Sequence, residues 1–268
     1  MRLRNVWVSA LGFAFAASMV ACGGSQETSN KSAEPTAPAG TPAGQKVDTA
    51  TAGDVKGTVT LDGTAPKNEP IKMNADPVCM KANKDPQFQE TYMVSDGKLA
   101  NVFVYVKDGL GNYVYDMPTE SAKIDQKSCR YTPHVFGVRV NQKIEIINDD
   151  PTLHNIHAMP KTNAEFNAGQ PVQGMKNEHV FTAKEVMVPF KCDVHGWMNA
   201  YVGVLDHPYY AVTDKDGKFE LKSLPPGTYT IEAWHEKLGT MDQKVTIATK
   251  ESKEANFTFK AGATATNN

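Results

Sequence analysis

Cys192, His195 and Met198 follow one another at steps of three and bring a thiolate, an imidazole and a thioether into one short stretch. A second imidazole, His154, comes just after a turn cluster at residues 148–151. Soft sulfur ligands combined with imidazoles select copper, and two histidines with one cysteine and a weak axial methionine form the usual electron-transfer copper site. These four residues therefore predict one copper ion that changes oxidation state by one electron.

The same region also allows less specific interpretations. A Cys-x-x-His pair in a β-protein is often incidental or belongs to a zinc site, and Met198 could be a core methionine beside a vacant axial position. We expect His157 to lie behind the ligands or at the surface, because alternate residues of an extended segment face opposite sides. We expect His134 to be a buried hydrogen-bonding residue, with a role as an alternative ligand as the second possibility. Asn155 is expected to orient the site through hydrogen bonds.

Three alternating or apolar stretches predict the strands that must position these ligands. Residues 143–147 lead into the turn before His154, and residues 186–190 and 201–205 flank the loop that carries the other three ligands. Further alternating stretches, separated by turn residues, occur before and after this region. Short strands with regularly spaced turn signals are typical of an all-β sandwich.

Residues 1–22 have the composition of a bacterial lipoprotein signal. A basic start precedes an apolar run of roughly 15 residues, which is too short for a comfortable membrane span. Small residues then lead into Cys22, as in the lipobox, although Met19 stands where leucine is usual. An ordinary cleaved signal with an incidental Cys22 is the alternative. We expect a lipid-anchored protein of the cell envelope facing the periplasm or the cell surface, with the outer membrane favoured because Gly23 does not signal inner-membrane retention.

The segments outside the strands are simple in composition. Residues 23–53 are rich in Ser, Thr, Ala, Pro and Gly, which predicts a flexible linker between a membrane anchor and a folded head. Residues 261–268 are expected to be a disordered tail. The formal net charge is −2 and the sequence contains no basic run, so the composition excludes a nucleic-acid partner.

The cysteine count leaves one thiol over. With Cys22 assigned to the lipid, three cysteines remain in an oxidising compartment where disulfides persist. Because the number is odd, one of them stays unpaired or has another use. Cys192 has metal-binding neighbours, whereas Cys79 and Cys129 have none. We therefore expect Cys79 and Cys129 to form a structural disulfide, a pairing that their spacing permits without proving.

Both ligand segments resemble the cupredoxins, the small blue copper proteins, and the amicyanins among them most closely. The resemblance covers roughly residues 141–206 and rests on two motifs, Asn148 with His154-Asn155-Ile156-His157, and Cys192-Asp193-Val194-His195-Gly196-Trp197-Met198. It implies a Greek-key β-sandwich that holds one type 1 copper ion through His154, Cys192, His195 and Met198. It also implies that His195 reaches the surface as the electron port. Asp193-Val194 and Gly196-Trp197 replace residue pairs that are usual in the family, so hydrogen bonding to the sulfur and exposure of the site differ, with Trp197 expected behind the ligands.

A second resemblance covers residues 213–247. The runs Thr213–Leu221 and Leu224–Tyr229 are similar to the signature of the carboxypeptidase regulatory-like domain, a transthyretin-type β-sandwich without peptidase chemistry. Such a domain opens with strands like those at residues 55–61 and 102–106, which would make the copper-binding stretch an insertion. Two sandwiches in series are the alternative. The predicted divisions are strands at residues 54–110, a copper domain at 111–206 and the smaller sandwich portion at 207–260.

Three functions remain open at this stage. The first is a membrane-tethered one-electron carrier, whose redox partners would by resemblance include a c-type cytochrome or a dehydrogenase. The second is a copper-handling envelope lipoprotein without electron transfer, and the third is a metal-free structural surface module. We do not expect an enzyme, because one copper ion with its positions filled leaves no coordination place for a substrate.

Overall fold

Strands form nearly all of the regular structure in residues 44–262, the part of the chain that this computed structural model describes. The predicted signal, Cys22, most of the linker and residues 263–268 lie outside these described residues. The predicted all-β fold is confirmed. Within residues 44–262, no helix has the length and apolar character needed to cross a membrane.

The strands and the single short helix of the described region follow one another in this order: β1 (Gln45–Lys46), β2 (Gly53–Asp62), β3 (Pro70–Ile71), α1 (Pro77–Ala82), β4 (Gln87–Phe88), β5 (Val94–Ser95), β6 (Lys98–Leu99), β7 (Phe103–Asp108), β8 (Tyr113–Val114), β9 (Ala122–Lys127), β10 (Arg130–Thr132), β11 (Val135–Arg139), β12 (Lys143–Asn148), β13 (His154–Ala158), β14 (Phe166–Gln170), β15 (Lys176–Val180), β16 (Glu185–Lys191), β17 (Asn199–Leu205), β18 (Tyr210–Val212), β19 (Lys218–Leu224), β20 (Gly227–His235), β21 (Gly239–Ile247), β22 (Ser252–Glu254) and β23 (Phe257–Lys260).

One sandwich, the scaffold sandwich, combines strands from the beginning and the end of the described region. Its first sheet has the order β18-β7-β20-β21, and its second has the order β19-β2-β6-β5 with β22 and β23 also paired to β2. Alternate residues of each strand face the shared core, where Val55, Val104 and Ile231 are fully buried. Because β7 pairs with both β18 and β20, the chain leaves this sandwich after β7 and returns to it at β18.

The intervening residues form a second sandwich, the inserted sandwich. Its sheets have the orders β10-β9-β12-β15 and β11-β17-β16-β13-β14. In β12 the alternating pattern is clear, since Ile144 and Ile146 are buried in the core between the two sheets. The strands predicted at residues 143–147, 186–190 and 201–205 are β12, β16 and β17, each slightly longer than predicted. The structure therefore has an insertion topology rather than two sandwiches in series.

The two sandwiches share a third apolar cluster. Phe103 projects from β7 towards β11 and β17, where Gly137 and Gly203 are paired across the strands. A Cβ atom added at Gly203 would overlap the Phe103 ring, and one added at Gly137 would overlap the Tyr210 ring. The two glycines thus leave a recess that accepts two stacked aromatic rings, whose centroids are 5.6 Å apart.

A buried ion pair also joins the sandwiches. His134 precedes β11, and its Nε2 atom lies 2.6 Å from Oε1 of Glu236 in the β20–β21 turn. The Tyr201 hydroxyl donates to the other oxygen of Glu236 at 3.3 Å. Burial lowers the pKa of His134, but the hydrogen bond and charge of Glu236 outweigh burial and hold that pKa above its usual value. His134 is therefore a buried hydrogen-bonding residue at the junction of the sandwiches.

Substitution of Gly203 tests the aromatic recess. We expect Gly203→Ala to lower the free energy of unfolding by about 1–3 kcal/mol, because the new methyl group forces the Phe103 ring to move. Gly169→Ala is the matched control, since Gly169 lies in β14 with open space around its Cα and should change stability by less than about 0.5 kcal/mol. Denaturant unfolding measures both. Equal stability of the two variants would contradict the proposed packing.

The ion pair predicts a pH-dependent stability. A histidine whose pKa is raised by folding adds stability that is complete below its unfolded pKa of about 6.5 and is lost as the pH rises through its folded-state pKa. We expect Glu236→Gln to lower the free energy of unfolding by about 3 kcal/mol near pH ~6.5. The loss should become smaller as the pH rises and His134 loses its proton. Thermal unfolding across that range measures the difference, with exposed Glu220→Gln as control. A cost that does not change with pH would argue against a charged His134.

Candidate metal centre

The pairing of β13 with β16 brings the two ligand segments together. The strands are antiparallel with His157 opposite Lys191, so the first residues of β13 lie beside the residues that follow β16. His154, the first residue of β13, thereby meets the loop between β16 and β17. That loop is closed by backbone hydrogen bonds from Cys192 N to Met198 O at 3.1 Å and from Met198 N to His195 O at 2.9 Å.

His154, Cys192 and His195 form a cluster of metal-ligating atoms that lie within 4.8 Å of one another. The Nδ1 atoms of the two imidazoles face each other at 2.9 Å, and the Cys192 sulfur is 3.9 Å from Nδ1 of His195. All three residues are at most 3% exposed. The site therefore presents two nitrogens and one sulfur to a small enclosed volume.

Each imidazole is held from behind by a carboxylate. Nε2 of His154 lies 2.9 Å from Oδ2 of Asp150, and Nε2 of His195 lies 3.0 Å from Oδ2 of Asp76. A carboxylate at Nε2 keeps the proton on that nitrogen and leaves the Nδ1 lone pair for a metal. Burial lowers the pKa of His154, but the hydrogen bonds and charges of Asp150 and Cys192 together outweigh burial and raise the pKa of the metal-free imidazole to about 9.

The two carboxylates are themselves fixed by backbone groups. Asp150 accepts from the N–H groups of Ser128 and Cys129 at 2.8 and 2.7 Å. Asp76 caps the N-terminus of α1 and accepts from the N–H groups of the second and third helical residues. The Thr152 hydroxyl adds a 2.9 Å hydrogen bond to Asp76 Oδ2. The orientation of both imidazoles is thus tied to the backbone on either side of the disulfide.

The sulfur of Cys192 is prepared to act as a thiolate. Among the described residues, Cys192 is the cysteine that lies outside a disulfide. Burial raises the pKa of its thiol, but hydrogen bonds with His154 and His195 outweigh burial and lower the pKa to about 5. The backbone N–H of His195 also donates to the sulfur at 3.3 Å. Since the thiolate is the form that binds metals, these contacts favour coordination.

Asn155 and Asp193 connect β13 to the ligand loop. Asn155 Oδ1 accepts from the Cys192 thiol at 3.3 Å and from the Asp193 N–H at 2.7 Å. The Asp193 carboxylate accepts from the Asn155 side-chain amide and lies 3.0 Å from Nδ1 of His157. Through its other nitrogen, His157 contacts Glu165 at 2.6 Å. His157 therefore lies behind Asn155, in contact with carboxylates rather than with the cluster.

Met198 and Trp197 complete the loop. Met198 is 1% exposed and packs in the core of the inserted sandwich, at the end where the ligands lie. The Trp197 ring centroid is 5.0 Å from that of His195, and its indole N–H donates to the Cys129 carbonyl at 3.0 Å. The indole therefore contacts a ligand on one side and the disulfide segment on the other.

A covering segment encloses His195. This cover segment, residues 63–93, connects β2 to β5 and carries α1 across the ligand end of the inserted sandwich. Cys79 in α1 forms a disulfide with Cys129, and the Cys79 sulfur lies 3.7 Å from Nε2 of His195. The expectation that His195 reaches the surface is wrong, because Asp76, Cys79 and Trp197 surround its ring and leave it 3% exposed.

The donor set fits a copper ion. Two imidazole nitrogens converge on the sulfur of Cys192, and the N–H group of each imidazole points to a carboxylate on the other side of the ring. A buried methionine lies in the same loop. This combination of soft sulfur and imidazole donors is the one that copper prefers.

The residues that sequence reasoning missed are Asp76 and Asp150. Asp150 stands four residues before His154 within the turn cluster, whereas the only local sign of Asp76 is the Asp-Pro start of a helix.

The comparison with family models supports the second resemblance. The model described as the carboxypeptidase regulatory-like domain matches residues 197–260. The match begins inside the ligand loop and includes β18 to β23, which are strands of the scaffold sandwich. The prediction of a carboxypeptidase regulatory-like portion is confirmed for this part of the chain. A comparison with curated proteins finds no match.

Copper proteins are among the solved structures similar to this chain. A purple cupredoxin from Nitrosopumilus maritimus is 24% identical, with 31% of this chain and 99% of that chain covered and a TM-score of 0.28. A reduced variant of amicyanin is 20% identical, with 33% and 86% covered and a TM-score of 0.29. The copper-containing nitrite reductase of Thermus scotoductus is 12% identical, with 56% and 28% covered and a TM-score of 0.31. The assignment of the ligands rests on the geometry of the residues themselves.

The disulfide that pins the cover segment predicts slow metal exchange. We expect the double variant Cys79→Ser/Cys129→Ser to lose copper to a chelator roughly tenfold faster, because local opening becomes at least about 1.4 kcal/mol easier without the crosslink. It should also lose about 2–4 kcal/mol of unfolding free energy. Loss of the copper absorption after addition of a chelator measures the rate.

Gly203→Ala is the matched control for this experiment, since it destabilises the junction of the sandwiches and leaves the cover segment intact. A control as fast as the double variant would show that global unfolding, and not opening of the cover, releases the metal. An unchanged rate in the double variant would show that copper leaves by another path.

Proposed function

We propose that this chain is a type 1 copper protein that carries single electrons in the cell envelope. The observation that carries the proposal is the convergence of two imidazole Nδ1 atoms on the buried sulfur of Cys192. His154, Cys192 and His195 would hold the metal in a trigonal plane, with Met198 as the weak axial ligand. Bound copper would supply a couple between Cu(II) and Cu(I).

The surrounding residues would keep the ligands in place while the oxidation state changes. Asp150 and Asp76 hold the protons on the Nε2 atoms, so neither imidazole needs to rotate or exchange a proton at Nδ1. The His195 N–H donates to the sulfur, and Asn155 holds the loop beside it through the Asp193 N–H. The cover segment excludes water from the site. A site that is rigid and dry changes charge with little rearrangement, which favours rapid electron transfer.

Burial favours a carrier over a copper-handling protein. A protein that delivers copper needs ligands that a partner can reach, whereas His154, Cys192 and His195 are at most 3% exposed. The same enclosure argues against an enzyme, because the four protein ligands would fill the metal's positions and the cover segment would keep a substrate away. We therefore propose electron transfer without substrate chemistry.

The location and the partners belong to the same proposal. The signal at residues 1–22 and the linker at residues 23–53 support a lipid anchor at Cys22 that places the head at the envelope face of a membrane, with the outer membrane favoured. Resemblance to the cupredoxins suggests redox partners such as a c-type cytochrome or a dehydrogenase. The scaffold sandwich would support the inserted sandwich mechanically and anchor both ends of the cover segment.

Copper loading of the head tests this function. We expect one equivalent of copper and intense visible absorption from thiolate-to-copper charge transfer, both absent in Cys192→Ser. We expect Met198→Leu to keep copper and to raise the potential by roughly 60 mV or more, a tenfold change in a one-electron equilibrium, because loss of the thioether destabilises Cu(II). Optical, spin-resonance and voltammetric measurements supply the values.

Met187→Leu is the control for the methionine substitution, because Met187 is buried in the cluster between the sandwiches. A blue Cys192→Ser variant would refute the ligand assignment. A colourless and readily chelated copper would favour copper handling, and copper well below one equivalent would favour a metal-free structural module.

A further inference from the structure

An electron carrier needs a short path for the electron between its metal ligands and the protein surface. In this chain the cover segment lies over His195, so the path cannot start at an exposed imidazole edge. The inference below rests on the proposed function. His195 is enclosed by three groups from other residues, the Asp76 carboxylate at 3.0 Å, the Cys79 sulfur at 3.7 Å and the Trp197 indole, whose ring centroid is 5.0 Å away. Each of these groups is a candidate for the first step of an electron path from the imidazole.

The three groups differ in how well they reach the solvent. Cys79 and its partner Cys129 are both fully buried, so a path through the disulfide would have to continue through the surrounding chain. The Asp76 oxygen that faces His195 also binds the Thr152 hydroxyl and belongs to the capped start of α1. Trp197 contacts His195 and is partly exposed, as Asp76 is, but of these two only Trp197 offers a delocalised ring for the path.

The indole is also held in a fixed position. Its N–H donates to the Cys129 carbonyl at 3.0 Å, and the Trp197 carbonyl accepts from the Gln89 and Asn199 side chains at 3.3 and 3.2 Å. The ring is tilted by 46° to the imidazole. A single delocalised ring is thus held directly against the His195 imidazole.

Trp197 lies close to an exposed groove. It lines a small cavity of about 10 Å³ together with Met198, Gln89, Glu90 and Arg130. The last three of these residues also line an adjoining groove of about 590 Å³, whose other side includes Phe88 and Met93. Phe88 is 49% exposed and Met93 is 40% exposed, so apolar side chains are accessible next to the tryptophan.

We propose that electrons enter and leave the metal site through the indole of Trp197, which takes the place of an exposed His195 edge as the electron port. In the reduction step the donor loses one electron and Cu(II) becomes Cu(I), with no bond made or broken and no proton transferred. The electron tunnels across the ring and the imidazole, and the indole itself is not oxidised. Trp197 is a relay residue that acts through its contact with His195.

The test uses the full chain loaded with copper and reduced by hexaammineruthenium(II). Stopped-flow bleaching of the copper absorption gives the second-order rate constant, and voltammetry gives each potential so that rates are compared at equal driving force. We expect Trp197→Leu to lower the rate constant by roughly tenfold, equal to about 1.4 kcal/mol of activation free energy. Trp197→Phe should retain most of the rate because an aromatic ring remains.

The phenylalanine variant separates the relay from a structural role. Both substitutions remove the hydrogen bond to the Cys129 carbonyl, so a loss caused by that bond would slow both variants equally and would overturn the relay. Trp234→Phe is the matched control, because Trp234 packs between the sandwiches against Tyr201 and should leave the rate unchanged.

The remaining outcomes are also decisive. A Trp197→Leu protein that keeps the wild-type spectrum and reacts within about twofold of the wild-type rate would overturn the proposal and point to the disulfide side of His195. If the leucine variant fails to hold copper, the electron self-exchange rate of the phenylalanine variant decides, since a relay predicts that this variant keeps most of the wild-type rate, whereas a roughly tenfold slower rate would overturn the relay. A wild-type chain without thiolate-to-copper absorption would instead refute the proposed function itself, which is a separate result.

Discussion

The site depends on two hydrogen bonds in which an imidazole donates to a carboxylate, one from His154 to Asp150 and one from His195 to Asp76. Each bond fixes the proton on Nε2 and so directs Nδ1 towards the Cys192 sulfur. Both carboxylates take their own positions from backbone N–H groups next to the cysteines of the disulfide. The proposed ligands, the disulfide and the cover segment therefore form one connected arrangement, in which displacement of any part would turn an imidazole away from the Cys192 sulfur.

The topology explains why these parts meet. The inserted sandwich supplies the ligands, because β13 and β16 are antiparallel and bring their connecting turns to the same end. The scaffold sandwich supplies the cover, because the segment between β2 and β5 crosses that end before the chain enters the insertion. The recess of Gly137 and Gly203 around Phe103 and Tyr210 keeps the two sandwiches in register. Because of the insertion, a segment that belongs to the scaffold sandwich covers the candidate metal site of the inserted sandwich.

Much of the candidate site could be predicted from residue types and spacing, because the four proposed ligands lie in two short segments with a strong local signal. The strands around them follow from their alternation. The odd cysteine count predicts one unpaired thiol, and the metal-binding neighbours of Cys192 make Cys79 and Cys129 the expected pair, which the structure confirms. The roles of Asp76 and of the cover segment could not be predicted, since Asp76 is 119 positions from His195 and its contact arises only in the folded chain. The choice between insertion and series also required the strand pairings, because a strand sequence does not state its partner. The burial of His195 followed from neither its spacing nor its resemblance to a family.

The central claim is that Cys192 and two imidazoles bind one copper ion together. X-ray absorption at the copper edge of the fully loaded chain tests this claim most directly, since it reports the atoms bound to the metal whatever the colour or the potential of the protein. We predict one short copper–sulfur distance and two copper–nitrogen distances typical of imidazole. A coordination shell of nitrogen and oxygen alone, without the short sulfur, would contradict the account.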